Sequence, residues 1–122
     1  MSADCPFCRP TGMLLENDLA YAIRDTSPAT PGHLLVLPRR HVADWFDTSA
    51  PERQAIFELA DAARARLDAE FHPDGYNLGI NVGETAGQTI FHVHLHLIPR
   101  YRGDVANPRG GVRGVIPGKQ GY

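Results

Sequence analysis

Cysteine is scarce in this chain of 122 residues, which has two thiols in all. Long apolar runs are missing too: none approaches the roughly 18 residues that a membrane-spanning helix needs. The first residues, Met1-Ser2-Ala3-Asp4-Cys5, lack the basic and apolar regions of a signal peptide. Charge of one sign is also lacking. A formal net charge of −2 gives no global electrostatic case for nucleic acid or a membrane surface. No internal repeat, low-complexity segment or linker interrupts the chain. These absences predict one domain over residues 1–122, in the cytoplasm, with no membrane association and no specific nucleic-acid partner. Thiols stay reduced there, so Cys5-Pro6-Phe7-Cys8 reads as metal-binding or redox-active rather than as a disulfide. Alone it is half of a common zinc signature and leaves the other ligands open.

What is present is histidine in one place. The run His92-Val93-His94-Leu95-His96-Leu97-Ile98 alternates imidazoles with apolar residues. In a strand, alternate side chains share a face, so the three rings would line one side about 6.6 Å apart. Phe91, Val93, Leu95 and Leu97 would then point into a core. A core requires the apolar face but not three titratable rings opposite it, so the ring face is the candidate site.

The rest of the chain supplies a frame. Met13–Glu16 and Leu19–Arg24 read as short strands joined by Asn17-Asp18, which suits a hairpin turn. Asp25–Gly32 is a loop set by Pro28 and Pro31, and His33–Pro38 is a strand too apolar for an exposed edge. Ser49 can cap a helix in which Pro51 suits the first turn and Glu52 completes a capping box. Ile56, Leu59, Ala60, Ala63, Leu67 and Phe71 recur along it at helical spacing. Tyr76–Gly83 alternates again, with Tyr76, Leu78, Ile80 and Val82 on one side and Asn77, Gly79 and Asn81 on the other. Paired with the histidine strand, its apolar side would join Val93 and Leu95, and Asn77 and Asn81 would share the histidine face. The loop Gly83–Thr89 can present backbone N–H groups to an anion. From Arg100 to Tyr122 the chain is basic and rich in glycine. That tail reads either as a loosely packed terminus or as a flap contacting phosphates or a partner subunit.

The triad led by Ala86-Gly87-Gln88-Thr89 resembles the signature of the histidine triad (HIT) family of nucleotide hydrolases and transferases. Pro31–His41, Asn81-Val82-Gly83 and Pro99-Arg100-Tyr101 are also similar to the family's segments. The resemblance covers most of a single HIT domain, 1–122, with a Cys-x-x-Cys segment (1–11) at one end and the basic tail (99–122) at the other. It implies an α+β fold: an antiparallel sheet of about five strands with one long helix packed on it. It also implies a homodimer whose two sheets run together into a larger one. The implied reaction is attack by His94 on the α-phosphorus of a nucleotide substrate, giving a covalent nucleotidyl-histidine that water resolves to a nucleoside monophosphate.

Neutral imidazole is a fair nucleophile near pH 7, and which nitrogen attacks depends on the hydrogen bond made by the other. His96 and His33 would act on phosphate oxygens or the leaving group. Gln88 and Thr89 would add neutral donors, and Asn81 a further polar contact. The resemblance implies that Asp25 would accept from the ribose hydroxyls, with Ile23 lining the base pocket. Asp25 also reads as a turn-stabilising residue before Thr26-Ser27-Pro28. By the same resemblance Cys5, Cys8, His41 and His92 would hold a structural zinc, a set rivalled by a free Cys pair with His92 simply hydrogen-bonded. Two other functions fit the residues. The three triad histidines could be ligands of a catalytic metal, with Glu84 as base. Alternatively, the protein could be a nucleotide-binding or scaffold module with little turnover.

Overall fold

The alternating segments pair into one antiparallel sheet in the computed structural model, which describes residues 5–122. The strands are β1 (Leu15–Glu16), β2 (Ala20–Arg24), β3 (Leu34–Pro38), β4 (Gly75–Ile80) and β5 (Leu95–Arg100). Their order across the sheet is β1-β2-β3-β5-β4. The helix α1 (Ala50–Phe71) lies on one face. Among the described residues no helix is long and apolar enough to cross a membrane.

The helix begins where its capping chemistry requires. The Ser49 side chain accepts from the Glu52 amide at 3.2 Å, and the Glu52 carboxylate accepts from the Ser49 amide at 2.8 Å. Ala55, Ile56, Leu59 and Ala60 pack on Ala22, Val36 and Leu95, while Ala63 and Leu67 pack on Leu34 and Leu97. Fully burying each leucine or isoleucine contributes about 1.5–3 kcal/mol. Gly32 closes the turn into β3 with φ +90°, and a Cβ there would meet the Phe71 ring at 3.0 Å. Period-two alternation leaves Tyr21, Leu35 and Leu37 on the opposite face, where they bury Cys5 and Phe7. The N-terminal segment therefore covers the side of the sheet that the helix leaves free.

Several boundaries differ from the sequence reading. Strand β1 is shorter, with Leu15 and Glu16 in register with Ala22 and Tyr21 of β2. Strand β5 starts at Leu95 rather than His92. The preceding segment is held instead by the Val93 amide, which donates to the Val42 carbonyl at 2.8 Å. Phe91 is exposed, unlike Val93, Leu95 and Leu97, which are buried as expected. Strand β4 ends at Ile80 and forms an outer edge, so Leu78, although it pairs with Leu97, is 49% exposed. The tail folds back as a 3₁₀ turn, Gly111–Val115, against β4. Three of its arginines are engaged locally. Arg100 binds Asp104 and Asn77, and Arg109 and Arg113 stack on Tyr122.

The buried Glu52 carboxylate also accepts two hydrogen bonds from the Arg40 guanidinium, at 2.9 and 3.0 Å. Arg40, assisted by the Ser49 amide, pulls its pKa down to about 2. The unfolded chain then takes up this proton at higher pH than the folded one, so the stabilisation is complete above about pH 4.5 and is lost as pH falls towards about 2. Glu52→Gln is expected to cost about 1–2 kcal/mol at pH 7. In urea melts at stepped pH, the gap from the parent protein should close over that same acid range.

Candidate functional site

A cleft of about 690 Å³ opens on the face of the sheet away from α1. Ile23, Asp25, Asn81, Thr89, His94 and His96 all line it. These are the six positions expected to contact a nucleotide, drawn from β2, the end of β4, the following loop and the histidine segment.

His33, His92 and His94 have tautomers assignable from backbone partners, because backbone carbonyls only accept and backbone amides only donate. The Nδ1 of His94 lies 2.8 Å from the His92 carbonyl and must carry the proton, leaving a lone pair on Nε2. The Nδ1 of His33 accepts from the Ala29 amide at 3.0 Å, so the His33 proton sits on Nε2. That Nε2–H donates to Nδ1 of His96 at 3.0 Å, with Asp25 Oδ2 alongside at 3.5 Å. The His96 proton is thereby set on Nε2. His94 and His96 stand with ring centroids 5.0 Å apart. One presents a lone pair and the other an N–H donor. Burial, aided by the neighbouring His94 and His33 rings, lowers the pKa of His96 to about 4. Burial also lowers that of His33.

His92 is oriented differently. Its Nε2–H donates to the Pro38 carbonyl at 2.7 Å, which leaves Nδ1 free to bind. That nitrogen lies 3.5 Å from Cys5 Sγ and 3.6 Å from Cys8 Sγ, and Cys8 Sγ is 3.1 Å from Nδ1 of His41. The four ligand atoms all fall within 4.8 Å of one another. A tetrahedral zinc with ordinary bond lengths separates sulfur from nitrogen by about 3.6 Å. The donor set, its spacing and the second hydrogen bond on His92 therefore fit zinc. All four positions of such a site belong to the protein, so no place is left for substrate. Among the described residues His92 groups with Cys5, Cys8 and His41, and His96 with Asp25 and His33, so the triad is not gathered as the catalytic-metal reading requires.

Gln88 departs from the sequence reading. It is buried, its amide nitrogen donates to the carbonyls of Ala43 and Ile90, and its oxygen accepts from the Gly83 amide at 2.9 Å. Both of its amide protons are spent on holding the loop, so it offers none to a phosphate. The backbone amides of Ala86, Gly87 and Gln88 are likewise bonded within the loop, to Gly83 and Glu84. Asp25 stabilises its turn, where Oδ1 accepts from the Ser27 amide at 2.8 Å, and also lines the cleft. Asn77, expected on the histidine face, accepts from Arg100 at 2.6 Å instead and does not line the cleft. None of the tail's arginines lines it either. Pro6, Phe7 and Arg9 do, although the sequence reading treated the first two only as spacers between cysteines. Their place follows from the metal cluster: once Cys5 and Cys8 reach His92, the residues between them must lie beside His94.

Comparison with known proteins agrees with this architecture. A family model described as "HIT domain" matches residues 8–103. An uncharacterised HIT-like protein of Mycoplasma genitalium is 41% identical over 86 residues, covering 70% of this chain. The chain spans 61% of that relative's length and 60% of a similar Mycoplasma pneumoniae protein. A bis(5'-adenosyl)-triphosphatase of Dictyostelium discoideum is 33% identical over 99 residues, covering 81% of this chain and 66% of its own. An adenylylsulfatase of Arabidopsis thaliana is 34% identical over 107 residues, covering 83% and 54%. Among solved structures, a Bacillus anthracis HIT family protein superposes with TM-score 0.79 at 38% identity, covering 85% of this chain and 78% of its own. A zinc-bound histidine triad protein of Mycobacterium smegmatis gives TM-score 0.74 at 36% identity, covering 85% and 80%. By its sequence, its five-stranded sheet and its triad, this chain belongs to the histidine triad family.

Proposed function

We propose that the protein is a nucleotide hydrolase acting at the α-phosphate of a nucleotide conjugate through a covalent nucleotidyl-His94 intermediate. The observation that carries this reading is the hydrogen bond from His94 Nδ1 to the His92 carbonyl, which leaves an unprotonated Nε2 on a ring that lines the cleft. In the first step that lone pair forms a bond to phosphorus while the bond from phosphorus to the leaving group breaks. The leaving group takes the electron pair and then a proton. Water then bonds to phosphorus through its oxygen as the phosphorus–nitrogen bond breaks, the electron pair returning to His94 Nε2 and the water's proton passing to solvent. His96 Nε2–H braces a non-bridging oxygen or the leaving group, and His33 positions it through the Nδ1 contact. The step is mainly positioning and charge stabilisation, which neutral donors in a confined cleft supply. Arg9 and Arg24 line the same cleft and add positive charge near the phosphates. Asp25 faces the ribose hydroxyls and Ile23 the base.

Dinucleoside polyphosphates and nucleoside phosphoramidates share this α-phosphate site. The triphosphatase and adenylylsulfatase relatives support a leaving group joined to an adenylyl unit. Zinc at Cys5, Cys8, His41 and His92 would be structural, pinning the N-terminal segment to the histidine segment. The zinc-bound relative supports this assignment. A homodimer pairing through β4 is supported by that strand's place at the end of the sheet and by exposed Leu78.

Three outcomes are expected. Quenching with alkaline denaturant during turnover of diadenosine triphosphate should trap label on the protein, and His94→Asn should abolish both label and turnover; full turnover by that variant would exclude the nucleophile. His96→Gln should slow turnover by about 10²-fold. Because His96 is held near pKa 4, it should do so without moving any inflection between pH 5 and 8 in the rate profile. Protein purified without added metal should carry about one zinc per chain by elemental analysis. Cys8→Ala should lose it, and less than half an equivalent in the parent protein would contradict the assignment.

A further inference from the structure

We propose that metal occupancy of the Cys5, Cys8, His41 and His92 cluster sets the affinity of the cleft for nucleotide, because the segment that holds the metal is also a wall of that cleft. The inference rests on the nucleotide reading above and adds a regulatory coupling to it. Pro6 and Phe7 lie between the two cysteine ligands and line the cleft together with His94 and His96. The Phe7 ring meets the His94 ring edge-on at a centroid distance of 5.1 Å and the His92 ring at 6.1 Å. It thus touches both a metal ligand and the proposed nucleophile.

Apart from a metal, side-chain packing rather than strand or helix hydrogen bonding holds this wall in place. The segment belongs to no strand or helix. Among the described residues, its backbone makes one turn bond, from the Cys8 amide to the Cys5 carbonyl at 3.2 Å. The Tyr21 hydroxyl donates to the Phe7 carbonyl, and Phe7 packs against Leu35 and Leu37. A metal would add bonds at both ends of Pro6-Phe7 and tie them to His41 and His92. It would also anchor the residue whose carbonyl orients His94. Metal removal therefore loosens the cleft wall and the support of the nucleophile together, while the α1 side of the sheet keeps its own core. Coupling of this kind is reciprocal: whatever factor the metal contributes to nucleotide affinity, the nucleotide must contribute to metal affinity.

The test measures zinc affinity of the loaded protein by equilibrium competition with a chromophoric chelator, with and without saturating adenosine 5'-monophosphate. The nucleotide should tighten zinc binding by about tenfold, and the zinc-free protein should bind it more weakly by the same factor. Phe7→Leu should keep zinc binding and reduce the reciprocal effect to less than threefold. Circular dichroism at each point reports whether the helix survives metal removal. Helix loss in parallel with zinc loss would assign the effect to global unfolding and overturn local coupling. Zinc affinity unchanged by bound nucleotide would overturn the coupling and leave the nucleotide reading intact. Failure of the zinc-loaded protein to bind the nucleotide at all would overturn that reading, and the coupling with it.

Discussion

One hydrogen bond, from Nδ1 of His94 to the carbonyl of His92, determines what the proposed nucleophile can do. It converts a ring that could carry its proton on either nitrogen into one whose lone pair lies on Nε2. The bond joins two residues only two apart, so it requires that the segment before β5 stay extended and in place. The Val93 amide on the Val42 carbonyl and the His92 ring on the Pro38 carbonyl supply that restraint. His33 fixes His96 by a parallel device, relaying the direction of the Ala29 amide through two rings. The cleft therefore receives one acceptor and one donor from adjacent histidines, both set by backbone groups.

The sheet makes this arrangement affordable to the fold, because its two faces are used separately. Helix α1 buries the apolar face of β2, β3 and β5, and that core contains no titratable group of the triad. The other face is left for His33, His94, His96 and the N-terminal segment. Polar rings can then be sequestered without disrupting helix packing, and their desolvation keeps His33 and His96 neutral.

Much of this was legible in the sequence, for local reasons. The alternation His-x-His-x-His required the rings to share a side, and the Ser49 and Glu52 spacing fixed the start of α1. The expected helix face is the face observed. Where the reading failed, the deciding partner lay far away in the chain. Gln88 looked like a phosphate donor, but its amide is claimed by the carbonyl of Ala43, 45 residues away. The strand was drawn to begin at His92, yet Val93 bonds to Val42 instead of to a neighbouring strand. Leu78 alternates like a core residue and is left half exposed because β4 lies at an edge. Phe7 carried no local signal at all. Its role in the cleft follows only after the two cysteines are brought to His41 and His92.

Nitrogen-15 NMR of the histidine side chains tests the central claim most directly, because protonated and unprotonated ring nitrogens resonate far apart. In the zinc-loaded protein at neutral pH, His94 should appear as the Nδ1–H tautomer with an unprotonated Nε2, and His96 as the Nε2–H tautomer. A His94 ring protonated on Nε2, or exchanging freely between the two forms, would contradict the account.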